Sequence, residues 1–221
     1  MISEVLTRNL SESATAFLCR SASFVEAAIA DPGPDVRTAA RGMFGEFRAT
    51  QCLKLLEHLQ AELAGLTYFS ASWSFEEKVT FWPELDLDPD DEFPAISLLE
   101  HSVAQPFGVW VDEQGKVQFM FPGEHEGKYL PVFPSVHHMI ESDALHAECK
   151  SSDWVLDAGG GAADIADAAA YCESLGKISH ASGYTEQWWG SASSRVFIWR
   201  TFSELFQDEH AVRWALWERR Q

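Results

Sequence analysis

The hydrophobic period changes once, at Leu66, and that change restricts the chain to folds that join helices to a sheet. Before it, apolar residues recur every three to four positions. Leu6, Leu10, Phe17, Phe24 and Ala28, widened by Val5, Leu18, Val25 and Ile29, define one face of a helix over residues 3–30. Asp31-Pro-Gly-Pro34 ends it, because proline lacks an N–H donor and restricts the residue before it. A second helix starts near Asp35, with Val36, Ala40, Met43, Phe44 and Phe47 on one face, followed by Leu53, Leu56, Leu59 and Leu63. Gly42 and Gly45 are its points of kinking or close packing. The two helices form an αα-hairpin.

From Leu66 onward β-branched and aromatic residues dominate. Residues 66–75 and 78–82 read as strands turning at Glu76-Glu77. Pro83, Pro89 and Pro94 forbid a regular element across the acidic run 84–92, which reads as a loop. Residues 107–121 alternate apolar and polar around Asp112-Glu-Gln-Gly115, which predicts a hairpin. A strand over Tyr129–Phe133 follows, and Ser135 is placed to N-cap a helix reaching Cys149. Asp153–Asp157 leads into Gly159-Gly-Gly161, read as a strand-to-helix turn, and Asp164 caps a helix that ends at Leu175 with Gly176 as its C′ residue. The Gly- and Ser-rich stretch 183–194 carries Trp188-Trp189, and Arg195–Arg200 is a strand. Thr201-Phe-Ser-Glu204 matches a capping box and opens a final helix with Leu205, Val212, Leu216 and Trp217. The class is α+β: an N-terminal helical hairpin, a mostly antiparallel β-sheet and flanking C-terminal helices. Residues 1–65 form the helical subdomain and 66–221 the α+β domain, expected to fold as one cooperative unit.

With 46% hydrophobic residues and nine tryptophans, the 221-residue chain has ample material for a core. No apolar run approaches the roughly 20 residues that cross a bilayer. The N-terminus shows no basic segment followed by an apolar one, so no secretory signal is read. Cys19, Cys52, Cys149 and Cys172 are far apart and are expected to be reduced thiols of a cytoplasmic protein.

Charge is the strongest functional signal. The chain holds 34 acidic and 16 basic residues, a net −18, and residues 66–150 carry 16 of those acids against 4 bases. The densest run is Glu84-Leu-Asp-Leu-Asp-Pro-Asp-Asp-Glu92. Such a field attracts basic partners and disfavours nucleic acid and anionic membrane. Glu84, Asp86, Asp88, Asp90, Asp91 and Glu92 are the expected steering residues, with Asp112, Glu113, Glu124 and Glu126 supporting them. Trp188 and Trp189 are candidate anchors, since tryptophan is enriched at the centres of interfaces.

Other chemistries have weaker footing. Asp86, Asp88 and Asp90 fit the first ligand positions of an EF-hand, but Asp91 stands where glycine is needed and Ser97 where glutamate is needed. His138, His146 and Cys149 share donor types with zinc sites without a matching fourth ligand. No GxSxG nucleophile elbow occurs. Val155-Leu-Asp-Ala-Gly-Gly-Gly161 resembles the first motif of class I methyltransferases, which implies a loop at Asp157–Gly161 for adenosylmethionine or a nucleotide. Asp157, Asp164 and Asp167 crowd the helix N-terminus that would have to receive an anion. The leading expectation has no catalytic residue, no cofactor and no metal.

Residues 108–119 (Gly-Val-Trp-Val-Asp-Glu-Gln-Gly-Lys-Val-Gln-Phe) and 129–141 (Tyr-Leu-Pro-Val-Phe-Pro-Ser-Val-His-His-Met-Ile-Glu) resemble the sheet-to-helix half of SMI1/KNR4-type (SUKH) domains. In that family a hairpin with an acidic turn leads to a strand and then to a helix opened by a small polar residue. The likeness spans 108–141, rests on the order of elements, and leaves the helical hairpin and the last third outside. It implies a bacterial immunity protein (an antitoxin) that neutralises a basic, nuclease-like toxin by direct binding. A ligand-binding enzyme using Asp157–Gly161 and a non-catalytic scaffold subunit are the alternatives.

Overall fold

A computed structural model describes residues 4–26, 31–72, 76–88, 92–100, 108–120, 129–200 and 212–220. Among these residues it is a mixed α+β molecule with six α-helices and two antiparallel sheets. The expected first helix is divided into α1 (Glu4–Arg8) and α2 (Glu12–Ser21). The break follows from Ser11, whose side chain accepts the Ala14 N–H and caps α2 instead of continuing α1. Beyond Ser21 the chain leaves the helix as β1 (Ser23–Phe24). The second helix is also two, α3 (Pro34–Phe44) and α4 (Glu46–Leu63), separated by Gly45 at φ +84. That conformation costs glycine little and any other residue more.

The larger sheet is a simple meander of β1, β2 (Leu66–Phe69), β3 (Lys78–Asp86), β4 (Ala95–Leu99), β5 (Gly108–Val111), β6 (Val117–Met120) and β7 (Tyr129–Phe133). Its first pairing joins Ser23 to Thr67, so the sheet begins within the helical third. The fully buried Leu6, Leu18 and Leu56 of the helices belong to the same apolar cluster as Phe81, Ile96, Val111 and Phe119 of the sheet. Each such side chain contributes roughly 1.5–3 kcal/mol through burial.

Helix α5 (Val136–Cys149) follows, capped by Ser135 as expected. Val136, Met139, Ile140 and Ala144 join the first cluster, while Leu145 and Cys149 join a second one. The helix is therefore covered on nearly every side, and its polar residues Glu141, Ser142, Asp143 and His146 are buried with it.

The second sheet runs β8 (Trp154–Gly160), β12 (Val212–Arg219), β11 (Ser194–Arg200), β10 (Glu186–Gly190) and β9 (Gly176–Lys177), with α6 (Ile165–Glu173) packed on it. Three expectations are corrected here. The strand-to-helix turn starts later than expected: Gly159 and Gly160 lie inside β8, paired with Ala215 and Trp214, and only Gly161 enters the turn toward α6. The Gly- and Ser-rich stretch 183–194 holds a strand at its centre, because β10 pairs with β11 from Glu186 to Gly190. The last element is a strand, since Val212, Leu216 and Trp217 lie in β12. Alternation along Trp214-Ala-Leu-Trp217 packs these residues on both faces of a covered sheet, a pattern that a helical reading also accommodates. The expected capping box at 201–204 lies outside the described residues.

The two sheets touch where the Tyr184 N–H donates to the Val132 carbonyl of β7, at 2.7 Å. A Cβ on the adjacent Gly183 would run into that same carbonyl oxygen.

Candidate functional site

Several of the expected acids meet at one end of the seven-stranded sheet. Register dictates this. Leu85, Ile96, Val111 and Val117 form one row across β3 to β6, and all turn toward the core. Their neighbours are therefore brought together: Asp86 beyond Leu85, Glu92 ahead of Ala95, and Asp112 and Glu113 in the β5–β6 turn. The run 84–92 is thus only partly a loop, because β3 extends through Asp86. A bulge between Phe81 and Glu84 lets Pro83 sit in the strand, its carbonyl taken by the Gln60 side chain at 3.0 Å.

These acids do not have equal roles. Asp112 is 7% exposed. Its carboxylate accepts the N–H groups of Gln114 and Lys116 and the Gln118 amide, each at 2.9 Å, so it organises the hairpin turn instead of meeting a partner. Glu113 is bound by the Arg48 guanidinium at 2.7 Å, and Arg48 also donates to the Glu92 carbonyl at 2.7 Å. That clamp ties α4 to the sheet end. Beneath it, the Cys52 thiol is pushed up to about 12, first by burial and then by the charges of Glu113 and Asp112. Glu84 and Asp86 each accept an indole N–H at 2.9 Å, from Trp82 and Trp110 respectively. Glu84, Asp88 and Glu92 are exposed, and Asp86 is half-buried. Asp90, Asp91, Glu124 and Glu126 lie outside the described residues.

The tryptophans are elsewhere. Trp188 is fully buried in the second cluster, its indole N–H donating to the Ser142 hydroxyl at 3.0 Å and its ring 4.5 Å from that of Phe197. It is a core residue, which corrects its reading as an interface anchor. Trp189 is half-buried on the other face of the same sheet, with the Lys177 ammonium 5.7 Å over its ring. Neither belongs to the acidic end. The tandem pair placed one ring on each face because it sits in a strand, not a loop.

The histidine grouping also separates. His146 packs at 4.8 Å from Trp188 and 4.6 Å from Phe197, whereas His138 meets the Ser135 hydroxyl at 2.8 Å. Burial holds His146 down to about 3. Among the described residues no set of three His, Cys, Asp or Glu is placed to hold a metal ion. All four cysteines are free thiols.

Sequence reasoning missed a line of buried polar groups along α5. The Asp143 carboxylate accepts hydrogen bonds from Tyr68 Oη and Ser70 Oγ, each at 2.7 Å. Burial raises it to about 6. Glu141 accepts from the Ser11 hydroxyl at 2.7 Å and from its N–H, which joins α5 to the cap of α2. Glu62 of α4 accepts from His137 at 2.9 Å, and Asn9 lies at 3.4 Å. Burial alone would raise Glu62, but the bond and charge of His137 outweigh it and hold the carboxyl below its ordinary value. The available signal was acids standing at helical spacing from Val136, Met139 and Ile140, where apolar residues belong.

Comparison with protein-family models, curated proteins and solved structures finds no match. Among the described residues no helix is long and apolar enough to cross a membrane.

Proposed function

We propose that this chain is a cytoplasmic binding protein of the immunity class, which neutralises a basic toxin by docking it on the acidic end of the seven-stranded sheet. The observation that carries the reading is the convergence of Glu84, Asp86, Asp88 and Glu92 on one end of a rigid sheet, three of them exposed. A fixed array of like charge on a packed scaffold loses little entropy on binding and accelerates encounter with a cationic surface. Nuclease-type toxins carry such a surface, because their substrate is a polyanion. The enzyme alternative through Asp157–Gly161 has little open backbone to rest on. Residues 157–160 lie in β8, only Gly161 enters the turn toward α6, and a Cβ at Gly159 would meet the Trp214 carbonyl at 3.0 Å.

The test is capture from the native host with the tagged chain, beside a variant carrying Glu84→Lys, Asp88→Lys and Glu92→Lys. The expected result is one basic protein that is eluted by salt, lost in the variant, toxic when expressed alone, and harmless when co-expressed with this chain. Equal capture by the charge-reversed variant, or a captured protein whose toxicity this chain does not relieve, contradicts the proposal.

A further inference from the structure

A cleft of about 550 Å³ lies away from the acidic end, where α2 and α5 meet the edge of the second sheet. Its size falls in the range of small-molecule sites, and it opens at the seam between the helices and a sheet, a favoured place for them. Phe17, Ala144, Ala147 and Trp154 supply apolar wall. Arg20 from α2 and Arg219 from β12 stand at the same cleft, and among the described residues neither guanidinium has a side-chain partner. Two such guanidinium groups at one cleft are unusual in a chain of net charge −18.

Two acids also line the cleft, and their states differ. Glu148 is held by Arg195 at 3.1 Å, and the Arg195 guanidinium lies 4.9 Å over the Trp154 ring. That pair is internally neutral and fixes Trp154. Asp153 uses its backbone carbonyl to accept the Arg220 N–H, and among the described residues of the cleft its carboxylate is the acid without a paired cation. The remaining charge therefore favours an anion, with Arg20 and Arg219 as donors that suit the two oxygens of a carboxylate or the three of a phosphate. We propose that this cleft binds a small organic anion, a carboxylate or phosphate on an apolar body, with Arg20 and Arg219 taking the charge and Phe17 and Trp154 bounding the body. The proposal stands independently of the acidic docking end, which uses other elements.

The test is calorimetric titration of the full chain with benzoate and phenyl phosphate, with benzylamine and benzyl alcohol as charge controls. The expected result is saturable binding of one or both anions and none of benzylamine. Phenyl phosphate binding alone identifies a phosphate site, and benzoate binding alone a carboxylate site. Arg20→Gln with Arg219→Gln is expected to weaken the anion by about tenfold or more, as lost charge-assisted hydrogen bonds do. Both side chains are exposed, so the melting temperature should hold. Asp153→Asn should tighten the anion by about two- to threefold by removing a like charge. Benzylamine binding as well as benzoate, no saturable heat with either anion below about 10 mM, or unchanged anion binding in the double arginine variant would each overturn the proposal.

Discussion

Asp143 sits inside the molecule with the hydroxyls of Tyr68, Ser70 and Ser72 against it and, among the described residues, no cation. Its folded value of about 6 lies above the ordinary carboxylate value, so the folded state favours the protonated form. The contribution of this group to stability is thus full at pH 4 and below, and falls as pH rises toward 6. Asp143→Asn removes that titration. Urea unfolding at pH 4.5 and at pH 7 should show the variant gaining on the parent by on the order of 1–3 kcal/mol at the higher pH. His146 has the opposite sign. Its folded value near 3 lies below that of an unfolded histidine, so its contribution is full above about pH 6.5 and is lost as pH falls toward 3. A His146→Gln variant should therefore close on, or overtake, the parent in acid, measured by the same unfolding curves. Trp188→Ala should cost about 3–5 kcal/mol, because it empties a site enclosed by Phe197, His146 and Trp217 and strips the Ser142 hydroxyl of its donor.

At the level of elements, two neighbouring glycines give a paired test of the α3–α4 junction. Gly42 lies within α3, where an added Cβ has nothing within 4 Å. Gly42→Ala should stabilise by about 0.5–1 kcal/mol through helix propensity. Gly45 links the two helices at φ +84, with similarly open surroundings. Gly45→Ala should cost about 1 kcal/mol from backbone strain alone. Thermal melts of the two variants should move in opposite directions; movement in the same direction would remove backbone conformation as the reason for the break. The period of two did reveal the hairpin of β5 and β6, and the period of three to four revealed the helical third and α5 with its Ser135 cap. It did not reveal where helices stop, because Ser11 and Gly45 act through single local geometries inside unbroken apolar patterns. The patterns also ended β8 early, at Asp157, and missed β10 and β12. In a sheet covered on both faces the period of two is filled in by apolar and aromatic residues, so Trp214–Trp217 gives no alternation to read. The acidic end was legible as composition, but the separate task of Asp112 was not. A turn-capping carboxylate and a partner-facing one look alike in sequence, and only the N–H groups of Gln114 and Lys116 tell them apart.

Across the whole molecule, α5 and the Val132–Tyr184 bond join two sheets with distinct apolar clusters. Gly183 makes that junction possible, since any side chain there collides with the Val132 carbonyl. Gly183→Ala should cost about 1–3 kcal/mol by overpacking, and hydrogen exchange should quicken at the Tyr184 amide before it quickens in β4. The larger consequence of the architecture concerns charge. One end of the first sheet carries Glu84, Asp86, Asp88 and Glu92, while Arg20 and Arg219 lie at a cleft on other elements. A basic partner is therefore expected to approach in one orientation, steered by the sheet end. The direct test is the association rate of the captured partner as a function of ionic strength, for the parent and for the variant with Glu84→Lys, Asp88→Lys and Glu92→Lys. The account predicts a parent rate that falls about tenfold or more from low to near-physiological salt, and a variant rate that is slower at low salt and nearly flat. Identical rates and identical salt slopes for the two proteins would contradict it.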